Sequence, residues 1–186
     1  YLLLILLLVF SLFNSLPTSA NSTNPQPNVI PALREWIGNT GLFTLTPQSR
    51  ICIDPNYETE LLTRMTSFKD EIKLINNDLD LSILTSNNPT DSDIYITLDC
   101  QDTNIGTEGY LMDIDNILTM KANTADGAFY GTRSLLQILV ADNTKDSIPK
   151  GNIRDYPMYE ERAFMIDVSR KYFTMDFLRD YVKLMS

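Results

Sequence analysis

The sequence predicts an α+β domain, a mixed or antiparallel sheet with helices on one face, followed by the first strand and helix of a second unit. Three observations predict it. Apolar residues alternate at a two-residue period on both sides of a helical pattern at 57–77. A second helical pattern opens at Ala125. Composition then changes: residues 1–149 hold 8 Lys+Arg against 18 Asp+Glu, whereas residues 150–186 hold 7 against 6.

The elements follow in chain order. Residues 1–13 are apolar but for one serine, and 13 are short of the roughly 20 needed to span a bilayer. Behind them Thr18 and Ala20 supply the small residues of a cleavage site. Residues 1–20 therefore read as a secretory signal whose start is missing, with a buried core helix as the alternative. No membrane anchor is expected. Asn21-Ser22-Thr23 is a glycosylation sequon at the new terminus, and residues 21–31, polar and proline-bearing, read as a linker.

The first domain is placed at 32–149. Leu33 to Ile37 reads as a short segment closed by a turn at Gly38-Asn39-Thr40-Gly41. Phe43–Thr46 and Arg50–Ile53 alternate as half-buried strands. Leu61, Leu62, Met65, Phe68, Ile72 and Ile75 recur at three- and four-residue steps, with Glu58 and Glu60 in the first turn where the helix dipole favours anions. Leu79–Ile83 and Ile94–Leu98 alternate again, and Tyr110–Ile114 with Ile117–Lys121 makes a hairpin. The helix from Ala125 presents Ala128, Phe129, Thr132, Leu135, Leu136, Leu139 and Val140. Phe129, Tyr130, Leu135, Leu136 and Trp36 read as packing rather than as a ligand platform.

The polar stretch Asp142–Pro149 marks a boundary, and 150–186 begins a second unit. Ala163-Phe164-Met165-Ile166 is the continuous apolar run of a strand buried on both faces. Thr174 is placed to cap a helix whose face is Met175, Leu178, Val182 and Met185. One strand and one helix cannot bury their own apolar surface.

Composition excludes much chemistry. With no histidine, this chain alone builds no Ser-His-Asp triad, Cys-His pair or His-ligated metal site. Two cysteines are too few for an all-thiolate zinc site, and no metal or cofactor motif is visible. A net charge of −9 argues against nucleic-acid partners. Cys52 and Cys100 either pair in an oxidising compartment, which contributes about 4 kcal/mol in the chain-entropy picture, or stand as two buried thiols.

Two stretches carry a resemblance. Gly127-Ala128-Phe129-Tyr130-Gly131-Thr132-Arg133-Ser134-Leu135-Leu136-Gln137-Ile138-Leu139 follows a hairpin that starts at Glu108-Gly109-Tyr110. Arg154-Asp155-Tyr156-Pro157 precedes Glu161-Arg162-Ala163-Phe164-Met165-Ile166-Asp167-Val168-Ser169-Arg170-Lys171-Tyr172-Phe173. In this order they resemble glycoside hydrolase family 20, the β-N-acetylhexosaminidases and lacto-N-biosidases. The resemblance implies that 32–149 is the family's N-terminal accessory domain and 150–186 the beginning of a truncated (β/α)8 catalytic barrel. It further implies a secreted or lysosomal exo-glycosidase acting on glycans that end in β-linked N-acetylhexosamine, released as single sugars or disaccharides. In that family the substrate's own acetamido oxygen attacks the anomeric carbon, with retention, and an adjacent Asp-Glu pair assists. No such pair in that context occurs in 150–186, so no catalytic residue is expected in this chain, which alone is expected to be inactive.

Arg162 matches the arginine that hydrogen-bonds hydroxyls of the terminal sugar, and Glu160 and Glu161 are local candidates to hold its fork. Asp167, at the end of the first barrel strand, matches a position that supports the site. Ala163 stands where many members have glycine and Lys171 where many have histidine. The alternative of another class is a secreted non-catalytic carbohydrate-binding or interaction module.

Overall fold

The computed structural model describes residues 22–185; the expected signal at 1–20 and the Asn21 acceptor lie outside the described residues. Seven strands form: β1 (Glu35–Thr44), β2 (Arg50–Ile53), β3 (Ser82–Thr85), β4 (Ile94–Thr97), β5 (Tyr110–Ile114), β6 (Leu118–Ala122) and β7 (Ser147–Asp155). They make one sheet in the order β1-β7-β5-β6-β4-β2-β3. β3, β2, β4 and β6 run parallel to one another. The pairs β5–β6, β5–β7 and β1–β7 are antiparallel, so the sheet is mixed.

Side-chain alternation then assigns the two faces. The register aligns Ile53, Ile96, Met120, Met112, Ile153 and Trp36 in one row across six strands. A second row, Ile51, Ile94, Leu118 and Ile114, is fully buried. Above these rows lie α1 (Glu58–Ile75), on β2 and β3, and α2 (Ala125–Ala141), on β5, β6 and β7; the helices also touch each other. They bury the faces their periodicity marks, Leu61, Met65, Phe68 and Ile72 on α1 and Ala128, Thr132, Leu135 and Leu139 on α2. Two residues expected on these faces, Leu62 of α1 and Val140 of α2, are exposed, and Ile138 takes an inward position on α2. Thr124 caps α2 by accepting the Asp126 and Gly127 N–H groups. The intervening row of the sheet, Tyr95, Thr119, Asp113, Asn152 and Ile37, lines the opposite, more polar face.

Several expectations change, beginning with β3, which forms at Ser82–Thr85 rather than over the Leu79–Ile83 alternation; three others bear on the site. First, β7 crosses the boundary expected at residue 149 and sits inside the sheet, between β1 and β5. Pro149 lacks a donor, but it lies where β7 pairs with β1 only; pairing with β5 starts at Gly151. Gly151 is needed because a Cβ there would stand 2.5 Å from Trp36 Cη2 and 2.7 Å from the Ile37 carbonyl. Second, Gly38–Gly41 is a bulge within one long β1 rather than a turn that closes it.

Third, the stretch expected as a linker docks on the domain. Asn24 fills the bulge. Its N–H donates to Asn39 O at 2.8 Å, its amide to Gly41 O at 2.6 Å and Lys150 O at 3.0 Å, and its carbonyl accepts Trp36 Nε1 at 3.0 Å. Val29 and Leu33 are buried in the core, and Gln137 exchanges two hydrogen bonds with the Ile30 backbone.

Beyond β7 the expected strand at 163–166 is absent. Phe164 and Met165 are 60% and 91% exposed, because no described strand offers them a ladder. α3 (Met175–Met185) does form, with Thr174 Oγ1 accepting the Phe177 N–H at 3.2 Å. Its Met175, Phe177, Val182 and Met185 are exposed, and Phe177 stacks between Phe173 and Tyr181.

One buried charge organises the β2–β4 end. Asp93 accepts from Arg50 Nη2 at 2.5 Å, the Arg50 N–H at 2.9 Å and the Thr90 N–H at 2.7 Å. Burial alone would raise the Asp93 carboxyl, but Arg50 and the Thr90 donors outweigh it and hold it below the usual carboxylate range. A depressed folded-state value contributes stability that is complete above the unfolded value near 3.9 and is lost as pH falls through the folded one. Asp93→Asn should therefore cost roughly 2–3 kcal/mol at pH 7. In urea titrations from pH 7 to pH 2.5, its gap to wild type should narrow only below about pH 4. Gly151→Ala should cost roughly 1–3 kcal/mol through the clash with Trp36, and substituting the smaller Phe for Trp36 in the same chain should recover part of that loss.

Candidate functional site

Arg162 is the residue from which the site is built. It follows β7 by seven residues, and the chain between turns back over the N-terminal half of α2. Its Nη2 lies 2.5 Å from Glu108 Oε2, its Nη1 donates to the Tyr159 carbonyl at 2.9 Å, and its guanidinium carbon is 6.0 Å from the Tyr130 ring centre. Together with the Ile30–Ala32 strap these groups border a cavity of about 500 Å³. Glu160 and Glu161 are exposed, so the fork is held from Glu108, 54 residues earlier, rather than by its sequence neighbours.

The inner wall is a polar relay. Tyr110, the first residue of β5, shares a 2.6 Å hydrogen bond with Ser134 Oγ on α2 and donates to Asp155 Oδ2 at 2.8 Å. Asp155 Oδ1 in turn accepts the Arg34 N–H at 3.1 Å. Burial first, and then the Asp155 charge, push the Tyr110 phenol well above its ordinary range, so it stays a neutral donor. Tyr156 lies beneath two guanidinium groups, those of Arg34 at 5.4 Å and Arg154 at 4.9 Å. Arg154 is held by Asp102 and Glu35, both at 2.6 Å. Aromatic walls with fixed guanidinium and carboxylate groups suit a neutral polyhydroxyl ligand better than a strongly charged one.

Asp167 is not brought to this cavity. It accepts the Ser169 N–H at 2.8 Å and pairs with Arg170 at 3.4 Å, contacts that are local and exposed. Lys171 lies 5.8 Å from the Phe173 ring centre. Trp36, Leu136 and Tyr130 pack against the core, as their packing reading expects.

The two cysteines are free thiols rather than a bridge. Cys52 sits beside Tyr95 in the register, within the strand pair, whereas Cys100 lies three residues past the end of β4. Cys52 directs its Sγ toward Asp93 Oδ2 at 3.8 Å. Burial, reinforced by that charge, pushes its thiol up to about 11. Among the described residues no group of three His, Cys, Asp or Glu could hold a metal, and no helix is long and apolar enough to cross a membrane.

The domain that carries this site matches a known family profile. The profile described as "Glycosyl hydrolase family 20, domain 2" matches residues 26–156. The chain belongs to glycoside hydrolase family 20. The matched stretch takes in β7, in keeping with a domain that runs past residue 149.

Relatives place the family-20 chain further. A β-hexosaminidase of Porphyromonas gingivalis is 26% identical over 167 residues, which cover 86% of this chain and 21% of that protein. A lacto-N-biosidase of Bifidobacterium bifidum is 30% identical over 140 residues, covering 74% of this chain and 12% of that protein. The chain thus spans about a fifth or less of the length of these curated relatives. Among solved structures, a mutant Streptomyces plicatus β-hexosaminidase in complex with product GlcNAc superposes with a TM-score of 0.72 at 23% identity, covering 88% of this chain and 33% of that one. A Flavobacterium johnsoniae chitobiase does so with a TM-score of 0.64 at 26% identity, covering 86% and 25%.

Glu108 and Asp155 are the site residues that sequence reasoning left without a role. Both stood in the two motifs of the resemblance, and only the sheet order brings those motifs together. Tyr110→Phe should cost roughly 1–2 kcal/mol in chemical denaturation, because Ser134 and Asp155 each lose a partner while the ring still packs.

Proposed function

We propose that this chain is the N-terminal portion of a secreted or lysosomal exo-glycosidase that hydrolyses terminal β-linked N-acetylhexosamine. Its residues 163–185 open a (β/α)8 catalytic barrel, and Arg162 holds hydroxyls of the terminal sugar. The observation that carries this reading is the family membership of a chain whose Phe164, Met165 and Val168 stand 60%, 91% and 57% exposed. Such an apolar run is costly in water and fits a barrel strand awaiting neighbours on both sides. The GlcNAc held by the Streptomyces plicatus relative supports the substrate class.

The chemistry follows from the substrate. The 2-acetamido oxygen attacks the anomeric carbon to give an oxazolinium ion, and a carboxylic acid protonates the leaving oxygen. The resulting carboxylate then activates water, and configuration is retained. The Asp-Glu pair for these steps belongs to barrel strands beyond those described. Arg162 contributes binding: a guanidinium presents fixed donors to two neighbouring hydroxyls, and such donors are costly to leave unpaired once water is excluded. Asp167 does not reach the cavity among the described residues, and it takes a supporting role only once neighbouring strands complete the barrel.

The full-length protein should release p-nitrophenol from its N-acetyl-β-glucosaminide or from the lacto-N-bioside, and a thiazoline mimic of the oxazolinium ion should inhibit it. Absence of hydrolysis on both substrates would refute the proposal. Arg162→Ala in that protein should raise KM by well over tenfold; unchanged KM and kcat would remove the role given to this arginine.

A further inference from the structure

We propose that Glu108, a residue of the accessory domain, is the positioning residue that holds Arg162 for the sugar. The inference rests on the function proposed above and deepens it, because it makes the accessory domain part of the substrate site.

An arginine on an irregular segment has a long, freely rotating stem, and aiming its fork costs side-chain entropy unless other groups restrain it. Three elements supply that restraint here. Glu108 takes Nη2, the Tyr159 carbonyl takes Nη1, and Tyr130 of α2 stands beside the guanidinium face. Two of the five N–H donors are used in this way. Three remain, and the Arg162 side chain is 47% exposed, so the open side can meet a pair of sugar hydroxyls.

Glu108 is itself rigidly placed. Gly106 turns the chain at φ 68°, its carbonyl accepts Asn123 Nδ2 at 2.9 Å, and the Thr107 carbonyl accepts Thr124 Oγ1 at 2.5 Å. Thr124 is the residue that caps α2, so the loop bearing Glu108 is tied to the helix bearing Tyr130. Gly109 lies so close to the Ile105 and Asp155 backbone that a Cβ has no room there. The carboxylate therefore projects from a turn fastened to α2 and backed by β7. A restrained carboxylate behind a binding group is the arrangement that keeps ligand geometry sharp.

The pair also differs from the chain's other C-terminal ion pairs. Asp167–Arg170, Asp176–Arg179 and Asp180–Lys183 join neighbours three residues apart, and at least one partner of each is more than three-quarters exposed. Glu108–Arg162 spans 54 residues, with side-chain exposures of 31% and 47%. Removing the carboxylate charge frees the fork to rotate while leaving every core contact in place.

The test is steady-state hydrolysis of p-nitrophenyl N-acetyl-β-glucosaminide by the full-length protein. Glu108→Gln should raise KM about tenfold with kcat within twofold of wild type, and Glu108→Asp should recover part of the loss. The melting temperature should stay within about 2 °C. Adding Glu108→Gln to Arg162→Ala should cause no further loss, since the positioned group is already gone. If Arg162→Ala is impaired and Glu108→Gln is not, the Glu108 assignment is overturned and the proposed function stands. An equal extra loss in the Arg162→Ala background also overturns it, because Glu108 then acts independently. A wild type that hydrolyses neither this substrate nor the lacto-N-bioside (on which the series is run if only that one turns over), or an Arg162→Ala protein with unchanged kinetics, removes the reading beneath the inference and the inference with it.

Discussion

Insertion of β7 between β1 and β5 is the constraint on which the rest of this domain depends. A strand late in the chain closes the antiparallel half of the sheet, and Ile148 and Ile153 carry the core under α2. Its Gly151 makes room for the Trp36 ring, Trp36 takes the Asn24 carbonyl, and Asn24 fills the bulge of β1. At the other end Asp155 joins Tyr110 on β5 to the Arg34 backbone. The chain leaving β7 is thereby aimed over α2, which is where Arg162 meets Glu108 and Tyr130.

The helices and the strands β2, β4 and β6 are legible because one rule dominates there. Leu61, Met65, Phe68 and Ile72 repeat at helical steps and are buried as that repeat requires. β7 was not legible. Pro149 and Gly151 are the residues that argue against an interior strand, and both are explained only by neighbours. Pro149 sits where the β5 ladder has ended, and Gly151 sits under an indole ring. The Asn24 segment was hidden for a related reason. A polar, proline-bearing stretch reads as a linker, yet its amides satisfy carbonyls of a bulge that no local pattern announces.

The candidate site divides along the same line. Arg162 was reached through a motif, which is a property of contiguous residues. Its carboxylate partner was sought among Glu160 and Glu161 and found 54 residues away, since only the hairpin and the β7 insertion bring those segments together. Asp167 lies beyond the reach of that scaffold and keeps only the contacts that Ser169 and Arg170 provide. The stretch at 163–166 follows the same logic. Its apolar run specifies a strand, but a strand is completed by hydrogen-bonding neighbours, and none is among the described residues.

Energetics then separate what stabilises this domain from what shapes its site. Asp93 is nearly inaccessible, its charge is met by Arg50 and by backbone donors, and removing one partner leaves the others buried and unsatisfied. Glu108 and Arg162 are both partly open to water, and a pair of that kind contributes about 0–1 kcal/mol to folding. A carboxylate so fixed in place, yet so small in its contribution to stability, has its effect on direction instead. It restricts where a guanidinium points, and a restricted donor loses less entropy when a hydroxyl arrives. The seven-stranded domain thus acts on the direction of Arg162 by a route that does not pass through its own stability.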